Sequence, residues 1–549
     1  MAMRNLSGRC LVAFAGAAVL CGALGSAGES ATVAAPKHVI GVRVVGGSGE
    51  LFDRRTGRRF VPRGANYVRL APEGHATFNL GRYAGKRAST ALARMRTLGY
   101  NTVRVFVGGS CAGCGGAGGT ARVSRAYARN LTDFLRRAKQ SRQLVILTTQ
   151  WLPDGYAGMI GDSALVDDVN RIFLTDGGID AYASFWRDLV LELRRQGAPL
   201  DAILAYDVVN EAAFVVDKAP FTLTSGVLRA PSGQNYDLAD PAARERLLGD
   251  GMITFANRVR AVIRRVDPTA LVSASYFAPS APNPTRSGDT RDLRSRVVIE
   301  RSQVDLVDVH AYPGGDLSLA QHMQNFGIGG PTRKPVIIGE TGAFGCAYAS
   351  PAEAAVALQS WQAASCAYGV DGWLLWTWDT DEQPELWNAQ STGGTIATAL
   401  GPRSRADPCK APPGTTNLAL GKPVSASAAG EGAATNAVDG SVGTAWLSGS
   451  DPPQWIEVDL QQPATIGAVR LVVAQYPAEG ATTHRVWTRG PGDGDVYVLR
   501  ETLGGTTRDG QTLESRAGAP WAGVRFVRVE TTQSPSWVAW KEIEVLAAG

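Results

Sequence analysis

From about residue 60 to residue 400, short apolar runs alternate with longer stretches whose apolar positions recur every three or four residues. The short runs are FVPRGANY (60–67), NTVRVFV (101–107), LVILTTQW (144–151), AILAYDVVNE (202–211), LVSASYF (271–277), VDLVDVHAY (304–312), PVIIGETG (335–342) and GWLLWTWD (372–379). Their near-continuous apolar character suits parallel strands buried on both faces. Between them, stretches such as RASTALARMRTLG, VSRAYARNLTDFLRRAKQS, DAYASFWRDLVLELRRQG and PAEAAVALQSWQAASCAYG carry a helical period. Eight β–α units in about 340 residues predict an α/β fold, a (β/α)8 TIM barrel with insertions, over residues 40–400. A doubly wound open sheet would share the alternation, but no glycine fingerprint follows the first strand.

The pattern changes after GPRSRADPCKAPPGTT (401–416), which reads as a linker. Beyond it, QWIEVDL, AVRLVVA, DVYVLR, VRFVRVE and KEIEVL are short alternating runs separated by Gly, Pro and Thr. They predict an all-β sandwich over 417–549. Two insertions stand out in the barrel region: the long connection at 212–241 after the fourth strand, and the glycine-rich GSCAGCGGAGG after the second. The first is placed to wall a site. The second lacks the Lys-Ser/Thr ending of a phosphate-binding loop and reads as a disulfide-tied loop.

At the N-terminus, Arg4 and Arg9 precede LVAFAGAAVLCGALGSA, the pattern of a signal peptide over 1–27, with cleavage after Ala27 or, as a fallback, Ala31. Leu20 before Cys21 is a poor fit for lipid attachment. No later segment has the roughly 20 continuous apolar residues of a membrane span, so with the signal peptide a secreted protein is expected, and a monomer is the expected state. A formal charge of +5 over 549 residues gives no reason to expect nucleic acid as partner. Five cysteines remain in the mature chain: Cys111, Cys114, Cys346, Cys366 and Cys409. Secretion favours pairing, the odd number leaves one over, and only Cys111-Ala-Gly-Cys114 suggests a particular, local bridge.

A barrel enzyme carries its chemistry at the C-terminal ends of its strands. Those ends read Asn66, Arg104, Gln150 and Trp151, Asn210 and Glu211, His310 and Tyr312, Glu340, then Trp376 and Trp378. Glu211 and Glu340 end the fourth and seventh strands, on roughly opposite sides of an eight-strand ring, so both can face one cleft. Two such carboxylates can cleave a glycosidic bond, one protonating the leaving oxygen and the other attacking the anomeric carbon. Arg104 can hold the nucleophile ionised, Asn210 can bond a sugar 2-hydroxyl, Tyr312 can orient Glu340, and indoles can stack on a pyranose. Singly, each has a plainer reading: Glu340 and Arg104 as a structural ion pair, His310 and Trp376 as core residues. Catalysis is indicated by their arrival together at successive strand ends. No clustered His and Asp set suggests a catalytic metal.

YDVVNE, VDVHAYP, VIIGETG and GWLLWTW, in that order and spacing, resemble the family 5 glycoside hydrolases of the retaining clan A, cellulase and mannanase type, over about residues 45–400. The resemblance implies Glu211 as general acid/base and Glu340 as nucleophile. It implies Arg104, Asn210, His310, Tyr312 and a Trp of WTW around the sugar, Trp376 before Trp378. One departure is the third strand end, where many relatives carry a His; here Gln150 or Trp151 must serve. NLALGKPVSAS, AVDG followed by TAW, WIEVDL and KEIEV resemble the discoidin, or coagulation factor V/VIII type C, domains, which include family 32 carbohydrate-binding modules. That resemblance implies a structural calcium held by Asp439, Thr444 and Glu542, although Val442 stands where an acidic or amide residue is common. Tyr476, Trp487 and Trp537 are candidate sugar-stacking rings, while Trp446 and Trp455 are expected in the core. The expected activity is a retaining β-glycanase acting on β-mannan or β-glucan. Exo-action on oligosaccharides and a non-catalytic glycan-binding role are the alternatives.

Overall fold

The computed structural model describes residues 38–70, 75–109, 121–276, 290–293, 295–314, 317–405, 407–409, 416–494 and 496–548. The expected signal segment and the Cys111–Cys114 pair lie outside the described residues.

Nine parallel strands form the barrel wall: β1 (Arg63–Asn66), β2 (Thr102–Phe106), β3 (Leu144–Thr148), β4 (Ile203–Asp207), β5 (Leu271–Ser273), β6 (Ser275–Tyr276), β7 (Val307–His310), β8 (Val336–Thr341) and β9 (Val370–Leu375). Their order is β5-β4-β3-β2-β1-β9-β8-β7-β6. Because β5 and β6 are one stretch interrupted at Ala274, pairing with β4 on one side and β7 on the other, the ring has eight staves. Each stave leads to a helix: α1 (Gly85–Leu98), α2 (Arg125–Gln140), α3 (Asp176–Arg195), α4 (Pro241–Val266), α5 (Ser295–Arg301), α6 (Leu319–Asn325), α7 (Pro351–Ala364) and α8 (Ser391–Ala399). Local chemistry fixes several starts. Ser124, Asp240 and Ser350 accept backbone N–H bonds as N-caps, with Pro241 and Pro351 at first helical positions.

The barrel interior is layered. Ile146, Leu204, Leu271, Leu306, Ile337 and Leu374 form an apolar floor, closed from below by Ile40 and Leu51 of an N-terminal hairpin, Ile40–Val45 with Ser48–Asp53. Strand parity carries polar groups above that floor: along β7, Asp308 and His310 follow Leu306 on the inward face. The start of the expected linker is stapled to the barrel. Arg403 donates its backbone N–H to Leu98, and a disulfide joins Cys366 to Cys409, while Cys346 is exposed and unpaired.

The C-terminal part is antiparallel. Gln454–Ala474 pairs with Thr512–Gln533 and with Ala539–Ala547, and Glu479–Arg489 pairs with Val498–Arg508. Trp446 and Trp540 are fully buried with Ile456, Val486, Val529 and Ile543. Trp455 departs from expectation: it is half-buried at the surface, with the Arg528 guanidinium 4.1 Å from its ring centre. No helix among the described residues is long and apolar enough to cross a membrane.

Candidate active site

Arg104, inward on β2 and fully buried, organises the upper barrel. Its Nη1 donates to Glu340 Oε1 at 2.6 Å and to Asn66 Oδ1 at 3.1 Å. Its Nη2 donates to Asn210 Oδ1 at 2.6 Å, Asp207 Oδ2 at 2.8 Å and Ser275 Oγ at 2.9 Å. Asp308 Oδ2 lies 3.4 Å from Nε. Three carboxylates around one guanidinium hold its proton more firmly than usual, against the cost of burial.

Glu340 reaches the interior through an irregularity. In the β7–β8 ladder Asp308 faces Ile337 and Val309 faces Ile338, but His310 faces Glu340, so one extra residue, Gly339, is accommodated. Gly339 donates its N–H to Asp308 Oδ1 at 2.8 Å, and a Cβ there would meet that oxygen at 2.0 Å. The bulge therefore turns Glu340 inward beside His310 only because residue 339 has no side chain. Tyr312 donates its hydroxyl to Glu340 Oε2 at 2.8 Å.

Glu211 comes from the turn after β4 with φ +47, a left-handed conformation that is costly for a side-chain-bearing residue and is seen at functional sites. His310 Nδ1 is 3.1 Å from Glu211 Oε1 and 3.4 Å from Glu340 Oε2. One ligand atom from each of Glu211, His310 and Glu340 lies within 4.8 Å of the others, a spacing at which a metal ion would also fit. Burial opposes charging of the His310 ring, but the Glu340 charge and the Glu211 hydrogen bond carry its pKa above the usual histidine value.

The structure brings Arg104, Asn210, Glu211, His310, Tyr312 and Glu340 together. Asn210 spends its carbonyl on Arg104 and one N–H on Gln150 Oε1 at 2.5 Å, so Gln150 belongs to this network, whereas Trp151 is exposed. Asn66 is level with Arg104 in the β1–β2 ladder and donates to the carbonyls of Gly339 and Leu375. Trp376 lies with Phe106, Phe344 and Tyr312 above the network and donates Nε1–H to Gln383 at 2.7 Å. Trp378 does not join it. Its indole packs edge-on against Tyr100 in the outer core, because strand parity ends with β9 at Leu375.

Sequence reasoning did not single out Asp207, Asp308 or His75. The two aspartates stood inside the quoted YDVVNE and VDVHAY motifs, and Asp308 shares strand parity with His310. His75 stacks on Phe106 with ring centres 4.1 Å apart, and burial together with the Arg104 charge lowers its pKa to about 4, so its ring is neutral.

Burial pushes the Asp308 carboxyl up to about 7, against Arg104 and His310 and with Asp207 and Glu340 adding to the rise. The folded state thus holds this proton more tightly than the unfolded chain. The stability it confers is complete below the unfolded value of about 3.9 and fades as pH rises through about 7. Asp308→Asn does not titrate. The unfolding free energy of wild type minus that of Asp308→Asn, from urea titrations, is therefore expected to fall between about pH 4 and about pH 8. A difference independent of pH contradicts the assignment.

In the sandwich, Tyr476 and Trp537 are exposed and line one pocket of about 450 Å³ with Leu447, Gln475 and Asp509. Trp487 lies apart from them, its Nε1–H on Glu530 at 3.0 Å. Asp439, Thr444 and Glu542 meet around one turn. Asp439 accepts from the Ser441 N–H and the Thr444 hydroxyl, each at 2.8 Å, and Glu542 accepts from the Gly440 N–H. Burial raises both carboxyls, Asp439 to about 6, and the Asp439 charge raises Glu542 further.

Among solved structures, the barrel part is similar to the β-mannanase of the blue mussel Mytilus edulis (18% identity, 67% of this chain and 98% of that one, TM-score 0.41). It is also similar to the endo-1,4-β-mannanase of Rhizomucor miehei (14% identity, 66% and 99%, TM-score 0.46). The C-terminal part is similar to chitosan-binding module 1 of a chitosanase/glucanase from Paenibacillus sp. IK-5 (30% identity, 24% and 97%, TM-score 0.21). No curated protein sequence matches the chain. The F5/8 type C domain family matches residues 423–543, within the antiparallel part whose strands and buried Trp446 and Trp540 are described above. That segment is similar to the F5/8 type C domains and is joined in one chain to a parallel (β/α)8 barrel.

Proposed function

We propose that the chain is a secreted, retaining glycoside hydrolase of family 5 type that cuts β-linked polysaccharide of β-mannan or β-glucan type internally, with its C-terminal domain holding it to glycan. The observation that carries this is the close approach of Glu211 and Glu340, with carboxylate oxygens within 4.8 Å of each other. Double displacement uses carboxyl groups about 5–5.5 Å apart, whereas inversion needs roughly 6.5–9.5 Å to admit water between them. Glu211 gives its proton to the leaving glycosidic oxygen as a Glu340 oxygen bonds to the anomeric carbon. Water, deprotonated by Glu211, then displaces Glu340 and restores the starting configuration. Arg104 and Tyr312 each bond one oxygen of Glu340 and hold the carboxylate in place for attack. The second Nδ2 hydrogen of Asn210 is the donor for a sugar 2-hydroxyl, and Trp376 offers the platform.

The test is digestion of β-mannan, β-1,4-glucan and β-1,3-glucan, with product sizes read by chromatography and the first-formed anomer by NMR. An initial β-anomer and a ladder of sizes are expected, and an initial α-anomer refutes retention. The ordered insertion after β4 favours exo-action as a second reading: Phe214–Val215 in it pairs with Arg291–Asp292, and Arg291 Nη1 comes to 3.7 Å from Glu211 Oε2. Products of one size from one chain end would establish that reading instead.

For the C-terminal domain we read the Tyr476–Trp537 pocket as the sugar-stacking site. Tyr476→Ala and Trp537→Ala are each expected to weaken binding to insoluble glycan by up to about tenfold, at roughly 0.5–1.5 kcal/mol per ring. Hydrolysis of soluble oligosaccharide should not change. Asp439, Thr444 and Glu542 supply hard oxygen donors, two of them carboxylates, one buried and one half-buried, that repel each other, which fits a calcium ion. When bound, the ion would neutralise that repulsion. Chelation with EDTA is accordingly expected to lower the unfolding temperature of wild type but not of Glu542→Gln, read by calorimetry.

A further inference from the structure

A trough runs along the outer face of the barrel between α2 and α3. Two adjoining cavities of about 690 and 660 Å³ share Arg125, Arg129, Glu192 and Arg195, with Arg122 at one end and Arg136 at the other. Arg125, Arg129 and Arg136 fall at i, i+4 and i+11 of α2, one helical face about 16 Å long at 1.5 Å per residue. Like charges at i, i+4 oppose helix formation, so the stripe is maintained against a small local cost.

Elsewhere around these helices arginines meet carboxylates: Arg137 bonds Asp133 within α2, and Arg258 of α4 bonds Asp176 and Asp180 of α3. In the trough Arg195 pairs with Glu192, but Arg125, Arg129 and Arg136 of the stripe do not meet a carboxylate among the described residues. Among the described residues no carboxylate lies within ion-pair distance of Arg125 or Arg129, and Arg136 donates to the carbonyls of Gln196 and Gly197. The two acidic groups present are committed already. Glu192 accepts from Arg195 and Gln196, and Asp188 accepts from Tyr156 and Arg187.

We propose that this trough is a second glycan-binding site, apart from the cleft, for a polysaccharide bearing carboxylate or sulfate groups. Guanidinium forks pair bidentately with both anions. A stretch of single-stranded nucleic acid would call for stacking rings, and no Trp, Tyr or Phe lines the trough. An anionic membrane would call for protruding apolar side chains, whereas the largest apolar residues here are Val123, which is buried, and Leu191, which is half-buried. The choice of a glycan as the anion's carrier rests on the proposed hydrolase activity; the basic trough does not.

The test is affinity electrophoresis of the full-length protein in gels containing polygalacturonate, dextran sulfate or neutral dextran. Wild type is expected to be retarded by one or both polyanions and not by dextran, the two arms showing whether carboxylate or sulfate is preferred. Added salt should release it. Arg125→Glu/Arg129→Glu/Arg136→Glu should weaken the retardation at least tenfold. Arg55→Glu/Arg82→Glu/Arg94→Glu, the same charge change at exposed positions elsewhere, should leave it within twofold. Equal loss in both triple variants, or no retardation of wild type by either polyanion, overturns the site. Tighter binding of oligo-dT or of phosphatidylglycerol vesicles through the same arginines overturns the ligand class. Cleavage of neutral glycan is read separately on the same proteins: its absence in wild type with polyanion binding intact refutes the hydrolase and leaves the trough standing.

Discussion

Replacement of Glu340 by alanine is expected to lower kcat on a β-linked glycan by roughly ten-thousand-fold to a million-fold, the scale of losing a covalent nucleophile. The loss should be nearly the same whatever the leaving group, because among the described residues no carboxylate besides Glu340 is placed to attack the anomeric carbon. Asp207 and Asp308 are fully buried beneath Arg104. Glu211→Ala should behave differently. A general acid contributes about a hundred-fold to ten-thousand-fold, and an aryl leaving group of low pKa departs without its proton. On an aryl glycoside, therefore, bond cleavage in Glu211→Ala should remain fast while turnover slows, with a burst of released phenol read by stopped flow. Azide separates the roles further. Entering the space left in Glu340→Ala, it should give the inverted glycosyl azide; in Glu211→Ala it should capture the glycosyl-enzyme and give the retained one. If Glu340→Ala keeps even a tenth of wild-type activity on the polymer, the nucleophile is another group.

The barrel was legible because burial of parallel strands on both faces leaves long apolar runs, which survive insertions such as 212–241. Two features were less so. The fifth stave is broken at Ala274, where LVSASYF reads as one continuous strand. The hairpin closing the floor was signalled by Gly46-Gly47 between two alternating runs, but it precedes the β–α rhythm and was passed over. In the site, residue types at strand ends were readable, and their directions were not. Glu340 faces inward through the Gly339 bulge, and Glu211 through a positive φ. Neither follows from the period of two. Trp378 shows the converse: parity carried past the last paired residue of β9 points to the cleft, while the chain has already left the strand. His75 comes from a connecting segment, where no periodicity exists to place it.

Arg104→Met should be the most damaging single change to stability, because it removes a charge without removing its partners. Asp207, Asp308 and Glu340 would be left buried around an apolar side chain, and breaking a buried ion pair from one side costs about 3–5 kcal/mol. Such a loss is a large share of the 5–15 kcal/mol that holds a typical domain, so poor expression or a much lower urea midpoint is the expected result. The cause is specified by a second variant. In Arg104→Met/Asp207→Asn one of the stranded carboxylates becomes a neutral amide, and the double variant should be more stable than the single one, although each change alone removes a native contact. Arg104→Lys tests geometry against charge. An ammonium on a single stem keeps the +1, but it has no fork to serve Glu340 and Asn66 with one nitrogen and Asp207, Asn210 and Ser275 with the other. Its stability should therefore lie between wild type and Arg104→Met, while kcat falls far more than stability does, since both Glu340 and Asn210 lose the group that aims them. Equal stability of Arg104→Met and its double variant would mean that packing of the long side chain, and not the carboxylate cluster, is what Arg104 supplies.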